Sequence, residues 1–170
     1  HAGALVELNC ETDFVGMNEK FRAYAEKIAK AVLENAPADL DALRASEIEG
    51  ETVEAVVTDA IHTLGENMNL ARAAVVEAGG VASYIHGGGK IGVLVNLEVS
   101  GGIDATVIGK DIAMQIAALN PRFWDKSQVG QDVLDEEKKI MMVQMENDPK
   151  MASKPEAVRE KIVMGKLNKF

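Results

Sequence analysis

Residues 53–65 read Val-Glu-Ala-Val-Val-Thr-Asp-Ala-Ile-His-Thr-Leu-Gly, and the chain changes its apolar period shortly after them. Within this stretch apolar side chains recur three and four residues apart, which predicts a helix that Thr52 caps and Gly65 ends. From Met68 onward apolar and polar residues alternate, which predicts strands. A long helix next to several short strands predicts an α+β fold.

Three strands are predicted after this helix, with glycine-rich spacers of hairpin type between them. The run at 87–90, three glycines and a lysine, lacks the first glycine and the hydroxyl of a phosphate-binding loop. It also precedes a strand and not a helix, so we interpret it as a hairpin loop. The predicted strands are 73–78, 81–86 and 91–99, and the spacers are 79–80 and 87–89.

The segment before residue 53 is predicted to supply one further strand and two helices. Alternation over 4–10 predicts a half-buried strand. Asn18 is a good N-cap for a helix that ends before Pro37, and 39–43 predicts a short capped helix. Residues 1–100 are therefore predicted to form one α+β subdomain, a small antiparallel sheet of about three to four strands packed against helices.

Residues 101–170 are predicted to be mainly helical, as the helical part of a second subdomain and the start of a helical hairpin. Ile108, Ile112, Ile116 and Leu119 define the first helix of this part. Two more helices are predicted: a Met-rich one over 133–145, and one that a capping-box pattern at 153–156 opens and that runs to Phe170.

Composition excludes several classes of protein. A net charge of -9 and an aromatic share of 4% argue against a nucleic-acid-binding surface. One cysteine excludes a disulfide framework and a thiolate zinc site, and His1, His62 and His86 do not have metal-site spacing. No apolar run is long enough for a membrane span, and no signal-peptide pattern opens the chain. These features predict a soluble, acidic, intracellular protein without a metal or cofactor.

The loop at 11–17 is the least ordinary part of the sequence, because Phe14 and Val15 are apolar residues in a loop beside Asp13. One interpretation folds Phe14 back over the core as a lid. The other presents Phe14 outward as an anchor for a partner's pocket, with Asp13 as a polar neighbour. Cys10 lies on the apolar face of the preceding strand and is expected to be a buried structural thiol. No motif of a catalytic centre is present.

Five segments carry a pattern in register along nearly the whole chain: Asn9–Val15, Gly65–Leu70, Ser83–Gly87, Asp111–Ala118 and Lys161–Leu167. Together they resemble the translation elongation factor Ts family. Members of that family normally begin with a small helical ubiquitin-associated-like module, and many continue beyond the hairpin, so the resemblance identifies a central part.

The resemblance implies a guanine nucleotide exchange factor for elongation factor Tu, not an enzyme, located in a bacterial cytoplasm or an organelle's matrix or stroma. The loop of Asp13 and Phe14 is implied to enter the partner beside its magnesium and nucleotide site. No direct contact with nucleic acid or membrane is implied, and homodimer formation is left open. The implied partner-binding residues are Thr12, Asp13, Phe14, Val15, Leu64, Gly65 and His86.

Two other classes of function stay open on the residues alone. A small cofactor-free enzyme on an α+β scaffold would show a deep polar pocket with perturbed titratable groups. A homo-oligomerisation module would pair a sheet edge or the last helix with a second copy. A convex tip at Asp13 and Phe14 would favour the exchange factor over both.

Overall fold

The apolar periods of the sequence become strands and helices in the predicted order. The computed structural model describes residues 1–168, so Phe170, the predicted end of the last helix, lies outside the described residues. The strands are β1 (Ala2–Asn9), β2 (Glu47–Ile48), β3 (Glu51–Thr52), β4 (Asn69–Glu77), β5 (Gly80–His86) and β6 (Ile91–Leu97). The helices are α1 (Asp13–Gly16), α2 (Glu19–Asn35), α3 (Leu40–Ala45), α4 (Val53–Leu64), α5 (Thr106–Leu119), α6 (Gln131–Asn147), α7 (Pro149–Ala152) and α8 (Glu156–Leu167).

The predicted α+β class is confirmed, with the strands divided among small sheets. In the described part of the chain the strands form three two-stranded antiparallel sheets, β1 with β4, β2 with β3 and β5 with β6. The chain divides into two units, His1–Asn120 and Pro121–Phe170. The division falls later than residue 101 because α5 packs on β5 and β6. The subdomain boundary at residue 101 stays a prediction.

The main core of the first unit lies between the β1–β4 sheet and the helices α2, α3 and α4. Ile28, Leu43, Val53 and Leu70 are almost completely buried there. Burying each such side chain stabilises the fold by about 1.5–3 kcal/mol. The alternate residues of β1, as its period predicts, face this core: Ala4, Val6 and Leu8, followed by Cys10 just beyond the strand.

The other face of β1 is covered as well, by the β5–β6 hairpin. A Cβ atom added to Gly92 would lie 2.7 Å from Leu5, and one added to Gly3 would lie 2.6 Å from Val81. The two glycines therefore allow the hairpin to approach β1 closely. The prediction of a strand with only one buried face is wrong at Leu5, because the β5–β6 hairpin packs against that side chain. The local pattern of β1 does not show this contact, since the hairpin lies far along the chain.

The prediction that Gly79-Gly80 joins two paired strands is also wrong. β4 pairs with β1 across the whole length of both strands, from Ala2 opposite Glu77 to Asn9 opposite Asn69, so β4 does not pair with β5. A Cβ atom added to Gly80 would lie 2.7 Å from a methyl group of Val99. The spacer thus permits close packing, whereas the hairpin predicted at 87–89 does join β5 and β6.

Helix α5 is confirmed, but the residues that define its period are not its buried face. Ile108, Ile112 and Leu119 are exposed and Ile116 is half-buried, whereas Gly109 and Ala113 are buried. Small residues face the β5–β6 hairpin because the helix lies very close to it: a Cβ atom added to Gly109 would lie 2.6 Å from Cβ of Ala82. The face of the helix that carries small residues is therefore the buried one, because larger side chains would not fit between the helix and the hairpin.

The second unit is helical, as predicted. α6 packs beside α8, and Met145 and Val163 are its buried residues. The predicted capping box at 153–156 does not form. The hydroxyl of Ser153 instead donates to the carbonyl of Lys150 in α7, the one-turn helix that precedes α8. Helix α8 begins after Pro155 without a side-chain cap.

Candidate functional site

The loop after β1 forms a short turn that carries Phe14 into solvent. Thr12 caps the one-turn helix α1, and its hydroxyl oxygen accepts from the backbone N–H of Val15 at 3.4 Å. The side chain of Phe14 is 86% exposed. The interpretation of Phe14 as a lid over the core is therefore wrong. Residues 11–17, called the tip below, present an aromatic ring that nothing in the first unit covers.

The base of the tip is attached to the core although its end is exposed. Val15 is half-buried and packs against the main core. The thiol of Cys10 donates a hydrogen bond to the carbonyl of Thr12 at 3.3 Å. Burial, and then the nearby charge of Glu66, raises the pKa of Cys10, so the thiol stays protonated and serves as a donor. The prediction that Cys10 is buried is wrong, because the thiol is only partly covered where it contacts the tip.

Glu66, just past the end of α4, binds the tip from outside its own segment. One carboxylate oxygen accepts from the backbone N–H groups of Glu11 at 3.0 Å and Thr12 at 2.9 Å. The other oxygen accepts from the hydroxyl of Thr12. The hydroxyl hydrogen bond first, and the two backbone hydrogen bonds with it, hold the pKa of Glu66 below its usual range. Loop and helix end are thus joined by three hydrogen bonds to one charge.

Acidification is expected to release the tip from Glu66. Because the pKa of Glu66 is lower in the folded chain than in the unfolded one, its stabilisation is complete above the unfolded value of about 4.3 and is lost as pH falls through the folded value. The amide resonance of Thr12, followed by NMR during an acid titration, should move with a midpoint below that of an ordinary glutamate. A midpoint at or above the ordinary value would contradict the hydrogen-bond geometry.

Lys90, at the end of the β5–β6 turn, pairs with Asp13 of the tip. Its ammonium group lies 3.1 Å from the carboxylate, and both side chains are largely exposed. An exposed pair of this kind contributes about 0–1 kcal/mol. The pair therefore places the hairpin turn beside the tip without holding Asp13 firmly, and the carboxylate stays able to exchange partners.

His86 is exposed at the end of β5 and has one close polar neighbour. The hydroxyl of Tyr84 lies 2.9 Å from Nδ1 of His86, and the two rings are 5.8 Å apart. With the Tyr84 hydroxyl as donor, Nδ1 accepts and Nε2 carries the hydrogen of the neutral ring. Tyr84 thereby orients His86 with Nε2 free of this contact.

Leu64 and Gly65 end α4 next to the residue that binds the tip. Leu64 is half-buried and packs against the main core. Gly65 adopts φ +74, a left-handed conformation that ends the helix as predicted, and an added Cβ atom there would meet nothing within 4 Å. Gly65 therefore offers bare backbone at the surface.

The structure thus brings together three segments that carry the predicted site residues. Glu66 joins the end of α4 to the tip, and Lys90 joins the hairpin turn to the tip. Sequence reasoning missed Glu66, Lys90 and Tyr84 as parts of the site. Glu66 and Tyr84 lie inside the segments that carry the family resemblance, so that signal could have identified them. Lys90 stands out in the sequence only as the lysine after three glycines, and that pattern does not connect it to the tip.

Two further findings concern the described residues as a whole. Within residues 1–168, no group of three or more His, Cys, Asp or Glu side chains is arranged to hold a metal ion. Over the same residues, every helix is either too short or too polar to pass through a lipid bilayer.

Comparison with known proteins identifies the family of the chain. Residues 11–170 match the family model described as elongation factor TS. The chain is 45% identical over 174 residues to elongation factor Ts of Syntrophotalea carbinolica, with 99% of this chain and 56% of the relative covered. It is also 45% identical over 168 residues to elongation factor Ts of Azoarcus sp. strain BH72, with 98% of this chain and 54% of that relative covered.

A third relative, elongation factor Ts of Clostridium botulinum strain ATCC 19397, is 46% identical over 175 residues, with 99% of this chain and 55% of the relative covered. The chain therefore spans about half the length of the curated relatives it matches. The family model covers almost all of the chain and includes the tip, Glu66 and the β5–β6 turn. The chain belongs to the elongation factor Ts family.

Proposed function

We propose that this chain promotes GDP release from elongation factor Tu by inserting the loop of Asp13 and Phe14 near the magnesium and nucleotide site of that GTPase. Family membership supports the partner, and the exposure of Phe14 carries the mechanism. A phenylalanine ring that passes from water into an apolar pocket contributes about 1.5–3 kcal/mol. An exposed ring at the end of an anchored turn is suited to enter a cleft between elements of a partner.

Reciprocal coupling explains how such a contact releases a nucleotide. If the tip and GDP with magnesium each weaken the other's binding to the GTPase, the coupling free energy must be the same in both directions. A thousandfold loss of nucleotide affinity needs about 4 kcal/mol of coupling. The ring supplies part of this by displacing an element that orders the magnesium ligands, and Asp13 adds a charge at the same place.

The other site residues divide into contacts and supports. Gly65 and His86 are exposed and are proposed to touch the partner, His86 through its Nε2 edge. Thr12, Val15 and Leu64 are proposed to act mainly from within, since Thr12 caps the tip and the other two side chains pack against the main core. In this proposal the direct contacts are fewer than the seven residues that the resemblance implies.

The structure favours the exchange factor over the enzyme alternative. A cleft in the first unit is lined mostly by apolar residues of α2, α3 and β4, with Asp39 and Arg72 as its charged lining residues. Asp39 is occupied as the N-cap of α3, and Arg72 pairs with Glu7. The tip, by contrast, carries an exposed aromatic ring, Phe14, and none of its residues lines this cleft. Formation of a homodimer stays a prediction.

The proposed surroundings follow from the same partner. Elongation factor Tu is a soluble GTPase, so a cytoplasmic location is proposed, without a direct contact with nucleic acid or membrane. The net charge of -9 supports this, because it would repel both a phosphate backbone and an anionic bilayer.

Release of a fluorescent GDP analogue from elongation factor Tu tests the proposal directly. With excess unlabelled nucleotide present, the chain is expected to accelerate release at least about tenfold, with a rate that saturates as its concentration rises. The heat-unfolded chain serves as the control. If release proceeds at the spontaneous rate at every concentration of the folded chain, the proposed function is wrong for this chain.

A further inference from the structure

Every hydrogen-bonding group of Thr12 is engaged, and this fixes the residue that begins the tip. Its N–H and hydroxyl donate to Glu66, its hydroxyl oxygen accepts from Val15, and its carbonyl accepts from Gly16 at 3.1 Å and from the thiol of Cys10. Thr12 cannot rotate or shift without losing several of these hydrogen bonds together. The orientation of Thr12 therefore sets the direction in which α1 leaves the core.

Helix α1 needs such an external attachment because it has only four residues. An isolated helix of one turn is unstable in water, since its nucleation cost is not repaid by enough hydrogen bonds. Val15 attaches its underside to the core, and Glu66 attaches its first residue. The carboxylate of Glu66 thus acts on the position of Phe14 through Thr12.

The geometry points to Glu66 as a positioning residue of the exchange reaction: its carboxylate, through Thr12, holds α1 in the orientation that presents Phe14 to the partner. The inference rests on the proposed function of the tip, and it assigns to Glu66 no contact with the partner. Two N–H groups and one hydroxyl donate to the two carboxylate oxygens of Glu66. A carboxylate suits these three donors because both of its oxygens accept hydrogen bonds and neither donates one. Glutamine keeps the size of the side chain but removes its charge and replaces one acceptor oxygen with an NH2 donor, so the three hydrogen bonds cannot all form as they do with the carboxylate.

The variant Glu66→Gln tests this role, and Asp59→Asn is its matched control. Asp59 lies in α4 of the same unit and accepts a hydrogen bond from the hydroxyl of Tyr24, away from the tip. At saturating chain, Glu66→Gln is expected to slow GDP release about tenfold or more, with the half-saturating concentration changed less than about threefold. Asp59→Asn is expected to stay within about twofold of the unchanged chain. Partial unfolding of Glu66→Gln would instead raise the half-saturating concentration and leave the rate at saturation unchanged, because it lowers only the amount of folded chain.

A double-mutant cycle separates positioning through Thr12 from a direct contact. Thr12→Val removes the hydroxyl and keeps the shape of the side chain. If Glu66 acts through Thr12, the loss in the double variant Glu66→Gln with Thr12→Val should be clearly smaller than the product of the two single losses, because both changes remove the hydrogen bond between the hydroxyl and the carboxylate. If the two losses multiply in full, Glu66 acts independently of the Thr12 hydroxyl, and the inference is wrong.

Amide hydrogen exchange of the free chain distinguishes failure of the inference from failure of the proposed function. In Glu66→Gln, the amides of Thr12 and Val15 should exchange at least about tenfold faster than in the unchanged chain, with core amides unaffected. If the unchanged chain does not accelerate GDP release, the proposed function and the role of Glu66 in nucleotide exchange are both overturned. Faster amide exchange in Glu66→Gln would then support only the attachment of the tip by Glu66. If the unchanged chain is active and Glu66→Gln matches it, the inference alone is overturned.

Discussion

Replacing Phe14 with alanine is expected to remove most of the acceleration of GDP release and to leave the folded chain as stable as before. The ring is 86% exposed, so its removal opens no cavity in the core. If the ring is buried in the partner, its loss costs about 1.5–3 kcal/mol, which corresponds to a decrease of about 10- to 100-fold. Release of labelled GDP and thermal unfolding of the variant measure the two effects separately.

Phe21 provides the matched control for this experiment, because it is the same residue type seven positions later and is 8% exposed. Phe21→Ala removes core packing in α2 and is expected to cost about 3–5 kcal/mol of stability. The two variants should therefore affect different properties. Phe14→Ala slows GDP release and leaves the melting temperature unchanged, whereas Phe21→Ala lowers the melting temperature. If Phe14→Ala instead melts early and still releases GDP at the normal rate, the ring supports the fold and the proposed mechanism is wrong.

Local features of this fold could be predicted because the residues that cause them are close in sequence. Asn18, Asp39 and Thr52 cap their helices through side-chain oxygens that accept from backbone N–H groups two or three residues later. Gly65 ends α4 through its own left-handed conformation. Each of these interactions is complete within one helical turn, so the sequence pattern alone identifies it.

The pairing of the strands could not be predicted in the same way. The partner of β1 is β4, about sixty residues later, and its second face is covered by a hairpin still further along. Apolar alternation predicts that a strand has a buried face, but it does not say which strand lies beside it. The glycines at 79–80 suggest a turn, although they serve a close approach to Val99.

The site shows the same division between local and distant causes. The pattern identifies Phe14 as an apolar residue in a loop but leaves its direction open, and only the family resemblance favoured an outward ring. Glu66 and Lys90 are ordinary surface residues by type, and no spacing connects either of them to the tip. Their roles depend on contacts across fifty or more residues, which the fold creates.

Helix α5 shows why a correct helical period can still mislead about burial. Most of its large apolar residues lie on the exposed side, Ile116 is half-buried, and Gly109 and Ala113 face the β5–β6 hairpin. The hydrophobic pattern shows which residues of α5 are apolar. Which of them are buried depends here on how closely the backbone of α5 can approach the backbone of the β5–β6 hairpin. The closest approach is at Gly109, where an added Cβ atom would lie 2.6 Å from Cβ of Ala82 and 2.8 Å from Leu97.

The variant Gly109→Ala is therefore expected to destabilise the first unit, although alanine is the better helix former. In an open helix the change from glycine to alanine stabilises by about 1 kcal/mol. At residue 109 the new methyl group meets the Cβ atom of Ala82, which is fixed to its backbone and cannot turn away. Helix and hairpin must separate, and overpacking of this kind costs about 1–3 kcal/mol. Calorimetry, with amide exchange at Ala113 as the local measurement, reports the loss.

Gly165 in α8 supplies the opposite case within the same chain. An added Cβ atom there meets nothing within 4 Å, so Gly165→Ala should gain the helical preference of alanine, up to about 1 kcal/mol, and slow amide exchange at Val163. The same chemical change then has opposite signs at two helical positions, and only the neighbouring atoms differ. If Gly109→Ala stabilises the first unit as Gly165→Ala stabilises the second, α5 does not lie as close to the hairpin as its glycine indicates, and close approach is not the reason that its large apolar residues face outward.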